Sequence, residues 1–270
     1  MDYTAVGDSS AAGWLVARLT GFQGRVGDTV PEGFEAYVRI LHPAGLDSVP
    51  VRWQDVAEAN GRTAHGLMQW DHIVGTQGAD AQPGVWDEEP LEGNLPLSLA
   101  RELAGVLAGH TGTGSQCWFG VWSGWRHLVI APGETARFEI PDRELFLLAG
   151  PLDAVHRTSL RPLPSGDGEG NGSVVSAVAT PRRPETGTGA LRPDRGGQVP
   201  FWRAPNLWWP EDRAWCVATE VDFTSTYIGG THACIDALLH APELEAYPAH
   251  PGDTVTEDSD RINPPPRKRR

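Results

Sequence analysis

Apolar positions recur with the helical period in three stretches of the chain. The strongest pattern lies between about Pro96 and Ala108, where leucine and valine side chains occupy the i, i+4, i+7 and i+8 positions. A shorter pattern begins at Trp53 and meets a stop signal at Asn60-Gly61. A third runs over residues 231–241 and opens on a threonine, a good N-cap residue. The sequence therefore predicts three helices.

Alternating or continuous apolar runs predict the strands. In Cys117–Trp122, Phe119 and Val121 share one face while two tryptophans share the other, so both faces need cover and the strand should be central. Closely spaced strands followed by a strand–helix unit indicate an α+β domain around a mostly antiparallel sheet. The predicted strands are Glu35–Leu41, Cys117–Trp122, Leu128–Ala131, Arg137–Ile140, Glu144–Ala149 and Trp215–Phe223.

Composition divides the chain into one domain with an insertion. Residues 161–200 are rich in glycine and proline and contain no aromatic residue, so we expect a disordered loop there. Residues 201–251 are too few for a comfortable separate domain. We therefore assign them to the same domain as residues 1–160, as its final strand and helix. The end of the chain, 252–270, is predicted to be a disordered tail.

The net charge excludes one class of partner. It is −13 overall, and residues 261–270 carry five cations and no acid, so the preceding 260 residues sum to −18. Such a body repels phosphate backbones, which makes nucleic acid an improbable partner for it. Without a visible signal peptide or spanning segment, we expect a cytoplasmic protein. The basic end is read as solvated, and the oligomeric state is left open.

Lysine is nearly missing, and this removes several enzyme classes. The single lysine, Lys268, lies three residues from the C-terminus, so the body holds none for a Schiff base or a phosphate-binding P-loop. Cys117 lies near His110 and His127 in sequence, but we expect it to be a buried, inert thiol. No cofactor is predicted.

The leading hypothesis is a non-enzymatic module that binds another protein, with a basic protein as the expected partner. The sequence Trp208-Trp209-Pro210 is typical of a loop, where a pair of rings is hard to bury, and Glu211 and Asp212 follow it. Tryptophan is enriched at binding hot spots, and acidic residues steer basic partners. We therefore predict that these four residues anchor the partner.

The alternative hypothesis is a lysine-independent enzyme. In the predicted strand Trp215–Phe223, Glu220 and Asp222 share one face, which suits acid–base chemistry or a divalent cation. Tyr227 would supply an orienting hydroxyl. Small residues then lead to the helix that begins at Thr231, a geometry common at binding sites.

A family resemblance supports the first hypothesis only weakly. The stretches HTGTGSQCWFGVWSGW (110–125) and WWPEDRAWCVATEVDFTSTYIGG (208–230) resemble a group of uncharacterised hypothetical proteins from GC-rich Gram-positive bacteria. The resemblance covers most of the chain outside the loop and tail, and it implies neither substrate nor catalytic residues. At the level of fold alone, the chain is similar to small acidic bacterial immunity proteins of α/β build, which bind and neutralise a partner.

Overall fold

The structure, a computed structural model, describes residues 3–125, 135–156 and 204–268. Within these ranges the chain forms a nine-stranded sheet, a separate two-stranded hairpin and five α-helices. The strands are β1 Thr4–Ala5, β2 Ala36–Leu41, β3 Ala44–Leu46, β4 Val49–Val51, β5 Cys117–Trp122, β6 Arg137–Ile140, β7 Arg143–Gly150, β8 Leu207–Pro210, β9 Cys216–Ala218, β10 Ser225–Gly230 and β11 Ala246–Ala249. The helices are α1 Gly13–Val16, α2 Trp53–Ala59, α3 Trp70–Val74, α4 Leu97–Leu107 and α5 His232–Leu239.

The large sheet joins distant parts of the chain. Its strands follow the order β1, β7, β5, β8, β9, β10, β2, β11, and β6 pairs with β7 on the side that β1 also occupies. Every strand pairing in it is antiparallel. Strand β8 pairs with β5, and β2 lies between β10 and β11. The prediction of one α+β domain around a mostly antiparallel sheet is therefore confirmed.

Two neighbouring tryptophans of β8 show how the sheet divides the core. Successive residues of a strand point to opposite faces. Trp208 belongs to the cluster that α4 and α5 cover, and Trp209 belongs to the cluster covered by the N-terminal segment from Ala12 to Val30. Because both faces of the sheet are covered here, the two rings are only 0% and 1% exposed.

A third apolar cluster lies beyond β2 and is built around α2 and α3. The ring of Trp70 lies between those of Trp53 and Trp86 and meets both at an angle. Its centre is 5.3 Å from the centre of Trp53 and 5.2 Å from that of Trp86. The carboxylate of Glu245 caps α2, accepting hydrogen bonds from the backbone N–H groups of Trp53 at 2.7 Å and Gln54 at 2.8 Å. A residue just before β11 thus fixes a helix near the start of the chain, because the first N–H groups of a helix have no partner within it.

The helix predictions are confirmed at α2, α4 and α5, and Thr231 caps α5 by accepting a hydrogen bond from Cys234 N–H at 3.2 Å. The sequence does not predict α1 and α3. These helices have only four and five residues, too few for a repeat of apolar positions with the helical period to be recognised. The predicted strand Leu128–Ala131 and the predicted loop 161–200 lie outside the described residues. No helix in the described part of the chain combines the length and apolarity needed to cross a membrane.

Two local predictions in the C-terminal third are wrong. Trp208 and Trp209 lie in β8, a central strand, and not in a loop. The predicted strand Trp215–Phe223 ends after three residues at Ala218, and a turn follows at Val221 and Asp222. The chain then returns as β10, although its polar and glycine-rich sequence does not predict a strand. All six of its residues are buried, so tertiary position outweighs its low strand propensity.

The prediction of a disordered tail is wrong for residues 252–268. Asp260, whose side chain is 0% exposed, accepts hydrogen bonds from His65 Nε2 at 2.9 Å and from Asn263 Nδ2 at 2.9 Å. Asn263 in turn accepts one from Thr63 N–H at 2.9 Å. Further along, the backbone of Arg267 bonds to residues 75 and 77. The tail is therefore a folded strap across the α2–α3 region, a role that its proline-rich, basic sequence does not suggest.

Removal of both rings of β8 should unfold the domain. Each Trp→Ala change in a core costs about 3–5 kcal/mol, and a domain has only about 5–15 kcal/mol of stability in total. We expect Trp208→Ala with Trp209→Ala to give an unfolded circular dichroism spectrum at room temperature. Phe22→Ala, which truncates a ring that is 46% exposed, is the control and should cost less than about 1 kcal/mol. A folded double variant would contradict the assignment of these rings to the core.

Acid should loosen the tail through Asp260. Burial raises the pKa of this carboxyl, but the hydrogen bonds it accepts from Asn263, His65 and Gln69 outweigh burial and hold the pKa below the ordinary aspartate value of 3.8. Its stabilising effect is therefore complete above about pH 4 and falls as the pH drops through the lower, folded-state pKa.

The Asp260→Asn variant measures this effect. We expect it to lower the free energy of unfolding by about 1–3 kcal/mol at neutral pH, because buried N–H donors lose their acceptor. The gap between variant and wild type should shrink at about pH 3, when urea unfolding is followed at both pH values. A gap that stays constant with pH would show that Asp260 acts without its charge.

Candidate functional site

Two hairpin tips and two loops enclose a cleft of about 330 Å³. One tip joins β6 to β7 through Pro141 and Asp142, and the other joins β9 to β10 over residues 219–224. Asp142 has φ +61°, the left-handed conformation that a type II turn needs at its third residue when proline occupies the second. The volume falls within the range of about 300–1,000 Å³ that is usual for ligand pockets. We call this space, with its lining residues, the tip cleft.

Arg143 connects the two tips. Its Nε donates to Glu220 Oε1 at 2.7 Å, and its Nη2 donates to Asp222 Oδ2 at 2.8 Å. Its guanidinium carbon lies 5.6 Å from the ring centre of Trp122, within the range of a cation–π contact. The second oxygen of Glu220 accepts the backbone N–H of Asp222 at 2.7 Å. Glu220 is therefore held on both oxygens, whereas Asp222 stays 70% exposed at its side chain.

A further carboxylate, that of Glu92, lies near the second tip but not among the residues that line the cleft. Burial raises the pKa of Glu92, and the charges of Asp222 and Glu220 raise it further. Gly93 explains how the loop of Glu92 comes so close. It has φ +67°, its N–H donates to Phe223 O at 2.8 Å, and a Cβ on it would lie only 2.1 Å from Val221 O. Only glycine fits this position without a shift of backbone.

Aromatic rings form part of the cleft wall. Phe22, which is 46% exposed, and Phe223 lie with ring centres 6.4 Å apart. Trp122 lines the cleft beneath Arg143. An exposed ring beside a net negative charge combines the two surfaces that attract an organic cation.

A buried polar chain leads inward from Thr219, a residue of the cleft lining. His42 Nδ1 lies 2.6 Å from Leu91 O, and since a carbonyl only accepts, Nδ1 carries the proton. Its Nε2 then accepts from Thr226 Oγ1 at 2.9 Å, which accepts in turn from Thr219 Oγ1 at 2.7 Å. Burial lowers the pKa of His42 to about 4, against the opposite effect of its bond to Leu91. The imidazole is therefore neutral at pH 7 and serves to tie the loop at Leu91 to β10.

The residues predicted to anchor a partner have structural contacts instead. Trp208 and Trp209 are core residues, so neither ring is available at the surface. Glu211 accepts a hydrogen bond from Trp118 Nε1. Asp212 accepts bonds from the Thr111 hydroxyl at 2.9 Å and from two backbone N–H groups, and thus closes a loop. Burial raises the pKa of Asp212, but these hydrogen bonds lower it by a larger amount, so that the pKa lies below the usual aspartate value.

The residues of the alternative hypothesis meet only in part. Glu220 and Asp222 do lie together, but across a turn and not on one face of a strand. Tyr227 is buried among the residues of the second core cluster and does not line the tip cleft. Sequence reasoning missed Arg143, Glu92 and Phe22, because nothing local indicates that three turns so far apart in the chain meet.

Other chemically active side chains are constrained by burial. Cys117 is 1% exposed, and burial raises the pKa of its thiol to about 12, as expected for an inert cysteine. His127 lies outside the described residues. His65 and His72 both approach Asp260, at 2.9 Å and 3.9 Å. Within the described ranges, no three or more histidine, cysteine or acidic side chains are grouped so that they would hold a metal ion.

A larger groove of about 680 Å³ runs between α5 and β11. Its rim carries Glu35 and Asp236 together with His232 and His250. The carboxylate of Glu35 is occupied by the backbone N–H of His232 at 2.9 Å. The described lining of the groove has two carboxylates and two histidines, whereas that of the tip cleft has four carboxylates and one cation, so the tip cleft is the more strongly acidic candidate.

Arg143 should stabilise the tip cleft measurably. We expect Arg143→Ala to lower the free energy of unfolding by about 1–2 kcal/mol, because one partly buried and one exposed charge-assisted hydrogen bond are lost. Arg143→Lys, which keeps the charge without the planar fork, should lose about half as much. The control is Arg137→Ala, since the Arg137–Glu144 pair is more exposed and should contribute less than about 1 kcal/mol. Equal effects in urea unfolding would show that Arg143 has no special role.

Comparison of the chain with protein-family models, with curated proteins and with solved structures found no match. The resemblance drawn from residues 110–125 and 208–230 therefore stays a prediction. The case for a function rests on the geometry and charge of the tip cleft.

Proposed function

We propose that the protein is a non-enzymatic binding module that holds a basic segment of a partner protein in the tip cleft. The observation that carries this proposal is an excess of negative charge in a concave, partly aromatic site. Among the described residues, four carboxylates line it, those of Asp28, Asp142, Glu220 and Asp222, against a single cation, Arg143, which bonds to Glu220 and Asp222. A cationic group on a partner would supply the missing charge.

The acidic surface extends beyond the cleft itself. Burial raises the pKa of Glu89, and the charges of Asp71, Asp80 and Glu92 raise it further, which marks a second group of close carboxylates beside the first. Residues 1–260 sum to −18. Such a field attracts a basic protein from a distance and speeds its association at low salt.

The enzyme hypothesis has less support from the same geometry. Both oxygens of Glu220 accept hydrogen bonds, and Arg143 occupies one oxygen of Asp222. The hydroxyl of Tyr227, which that hypothesis needs beside the carboxylates, belongs to a buried residue that does not line the cleft. Carboxylates fixed by such hydrogen bonds are better suited to electrostatic recognition. We further propose that binding takes place in the cytoplasm, in keeping with three cysteines that are all free thiols.

Partner capture with matched variants tests the proposal. The cleft variant combines Asp142→Asn with Asp222→Asn, two exposed carboxylates that line the cleft. The control combines Glu58→Gln with Glu102→Gln, which removes the same charge from exposed positions on α2 and α4. Tagged wild-type protein and both variants are purified from the native host, and proteins that co-purify are quantified by mass spectrometry.

We expect one basic protein to accompany wild type and control in a fixed ratio, and the cleft variant to retain at least about tenfold less, equal to about 1.4 kcal/mol of binding energy. Retention should fall as salt is raised, because partly exposed charges are screened. Capture of the same partner by all three forms would place its site elsewhere. Recovery of all three forms without any partner would contradict the binding function.

A further inference from the structure

We infer that the C-terminal strap, residues 252–268, opens as a unit from its anchor at Asp260, and that its opening releases one side of the tip cleft. That side is the N-terminal loop 22–29, which supplies Phe22, Asp28 and Thr29 to the cleft lining. This inference rests on the proposed function where it gives the opening a use, since it describes how the same site is regulated.

One end of the strap pairs with loop 22–29. Three backbone hydrogen bonds of 2.8 Å, 2.9 Å and 3.0 Å join residues 251–255 to residues 24–27. At Gly24, which has φ +76°, a Cβ would lie only 2.8 Å from Thr256 Cγ2, so the two segments are in direct contact. The three bonds run from Val255 N–H to Gly24 O, from Gly27 N–H to Pro251 O and from Val26 N–H to Asp253 O.

The loop has few other fixed points. Leu19 and Val30, on either side of it, are core residues that are 2% and 0% exposed. Among residues 22–29, Val26 is the one buried apolar side chain, and it belongs to the same core cluster as Val255 of the strap. The position of the loop between its two ends therefore depends on the strap.

The other end of the strap is held through polar side chains. Hydrogen bonds from residues 63–69 to these side chains tie it to the α2–α3 region. Val255 is the one buried apolar side chain of the whole strap. Regions with few buried apolar contacts open at the lowest cost in free energy, so the strap opens before the sheet does. The buried residues of 256–268 are Ser259, Asp260 and Asn263.

The two ends are coupled through a short, ordered connection. Between Val255 and Asp260 the chain forms the single 3₁₀ turn Glu257–Ser259, closed by a hydrogen bond from Ser259 N–H to Thr256 O at 2.9 Å. A continuous chain of hydrogen-bonded groups of this kind transmits a change at one end to the other. Loss of the Asp260 anchor therefore weakens the pairing with loop 22–29.

Opening of the strap changes the tip cleft in both shape and charge. Loop 22–29 supplies the exposed ring of Phe22 and, with Asp28, one of the four carboxylates in the described lining. A basic segment bound there contacts the loop in the position that the docked strap gives it. Binding therefore favours docking, and opening of the strap favours release by the same free energy.

Hydrogen exchange of backbone amides, followed by NMR on the full chain, tests the inference without a partner. Val26 and Gly27 report on the loop, because both N–H groups bond to the strap or to the residue before it. Thr63 and Gln77 report on the anchor, because their N–H groups bond to the other end of the strap. The amides of β5, in the large sheet, report on unfolding of the whole domain.

Three variants perturb the strap, and a fourth is the control. Asp260→Asn removes the carboxylate of the anchor, and Asn263→Ala is a milder change beside it that serves if the first variant does not fold. Val255→Ala weakens the opposite end. Leu99→Ala, the control, destabilises the domain from α4, on the other face of the sheet from loop 22–29.

In wild type we expect the loop and anchor amides to show similar protection, at least about tenfold below that of β5. Leu99→Ala should lower protection at β5 and leave it within about threefold of wild type at Val26 and Gly27. The reason is that the docked and open forms of the strap lose the packing of Leu99 equally, so the equilibrium between them does not change.

The strap variants should act across the connection. We expect both anchor variants to lower protection at Val26 and Gly27 by at least about tenfold. Val255→Ala should lower it at Thr63 and Gln77 by a similar factor, because coupling between two sites is reciprocal.

An anchor variant that loses protection at Thr63 and Gln77 but keeps it at Val26 and Gly27 would overturn the inference, since the two ends would then open independently. Loop amides that follow β5 in the Leu99→Ala control would overturn it too, because the strap would open only with the whole domain. The fate of the proposed function is separate. A strap that opens as inferred, in a protein that captures no partner, would keep the coupling and refute only its use.

Discussion

The insertion of β8 between β5 and β9 holds the two parts of the chain together. Its tryptophans point to opposite faces, so the strand is anchored in both core clusters at once. Burial of two indole rings contributes several kcal/mol, on a scale of about 25 cal/mol for each Å² of apolar surface. Through β8, residues on both sides of the 157–203 segment share one sheet. The register of β8 against β5 and β9 then sets the relative positions of the β6–β7 and β9–β10 hairpins.

The tip cleft is a product of that register. Because β5 pairs with β7 on one side and with β8 on the other, the turn before β7 and the turn after β9 emerge at the same end of the sheet. Arg143 then reaches Glu220 and Asp222 across a sequence distance of 77 and 79 residues. The loop at Gly93 closes against the second turn by direct backbone contact. Charge and shape at this site are therefore consequences of the fold, not of any local motif.

Elements with a strong hydrophobic period can be predicted from the sequence. Elements whose conformation is set by burial in the folded domain cannot. The leucine pattern of α4 and the alternation of β5 are local signals, and both elements form as expected. Strand β10 gave no such signal, since Ser225, Gly229 and Gly230 are poor strand formers that tertiary packing has placed in a central position. The prediction of a loop at Trp208-Trp209-Pro210 failed for a related reason. A proline normally marks an edge strand or a loop, but Pro210 is the last residue of a buried strand.

The same limits explain the site. The carboxylates Glu220 and Asp222 were identified from their spacing, although a turn and not a strand brings them together. Their partner Arg143 carries no local mark, because its role depends on which hairpin lies beside it. The order of the tail could not be predicted, because it depends on hydrogen bonds that Asp260 and Asn263 make with a distant loop. The partners on that loop are Thr63, His65 and Gln69.

Strand β2 has a consequence for the order in which the chain folds. Both of its partners, β10 and β11, come from the last fifth of the sequence, and Arg39 meets Ser225 across 186 residues. At translation speeds of about 5–20 residues per second, β2 leaves the ribosome about 10–40 s before either neighbour exists. During that interval an apolar strand with two unsatisfied edges must be kept from pairing with other chains. Synthesis of this protein therefore passes through a state in which a strand that is internal in the mature sheet has two open edges, and nonlocal pairing of this kind is slow to close.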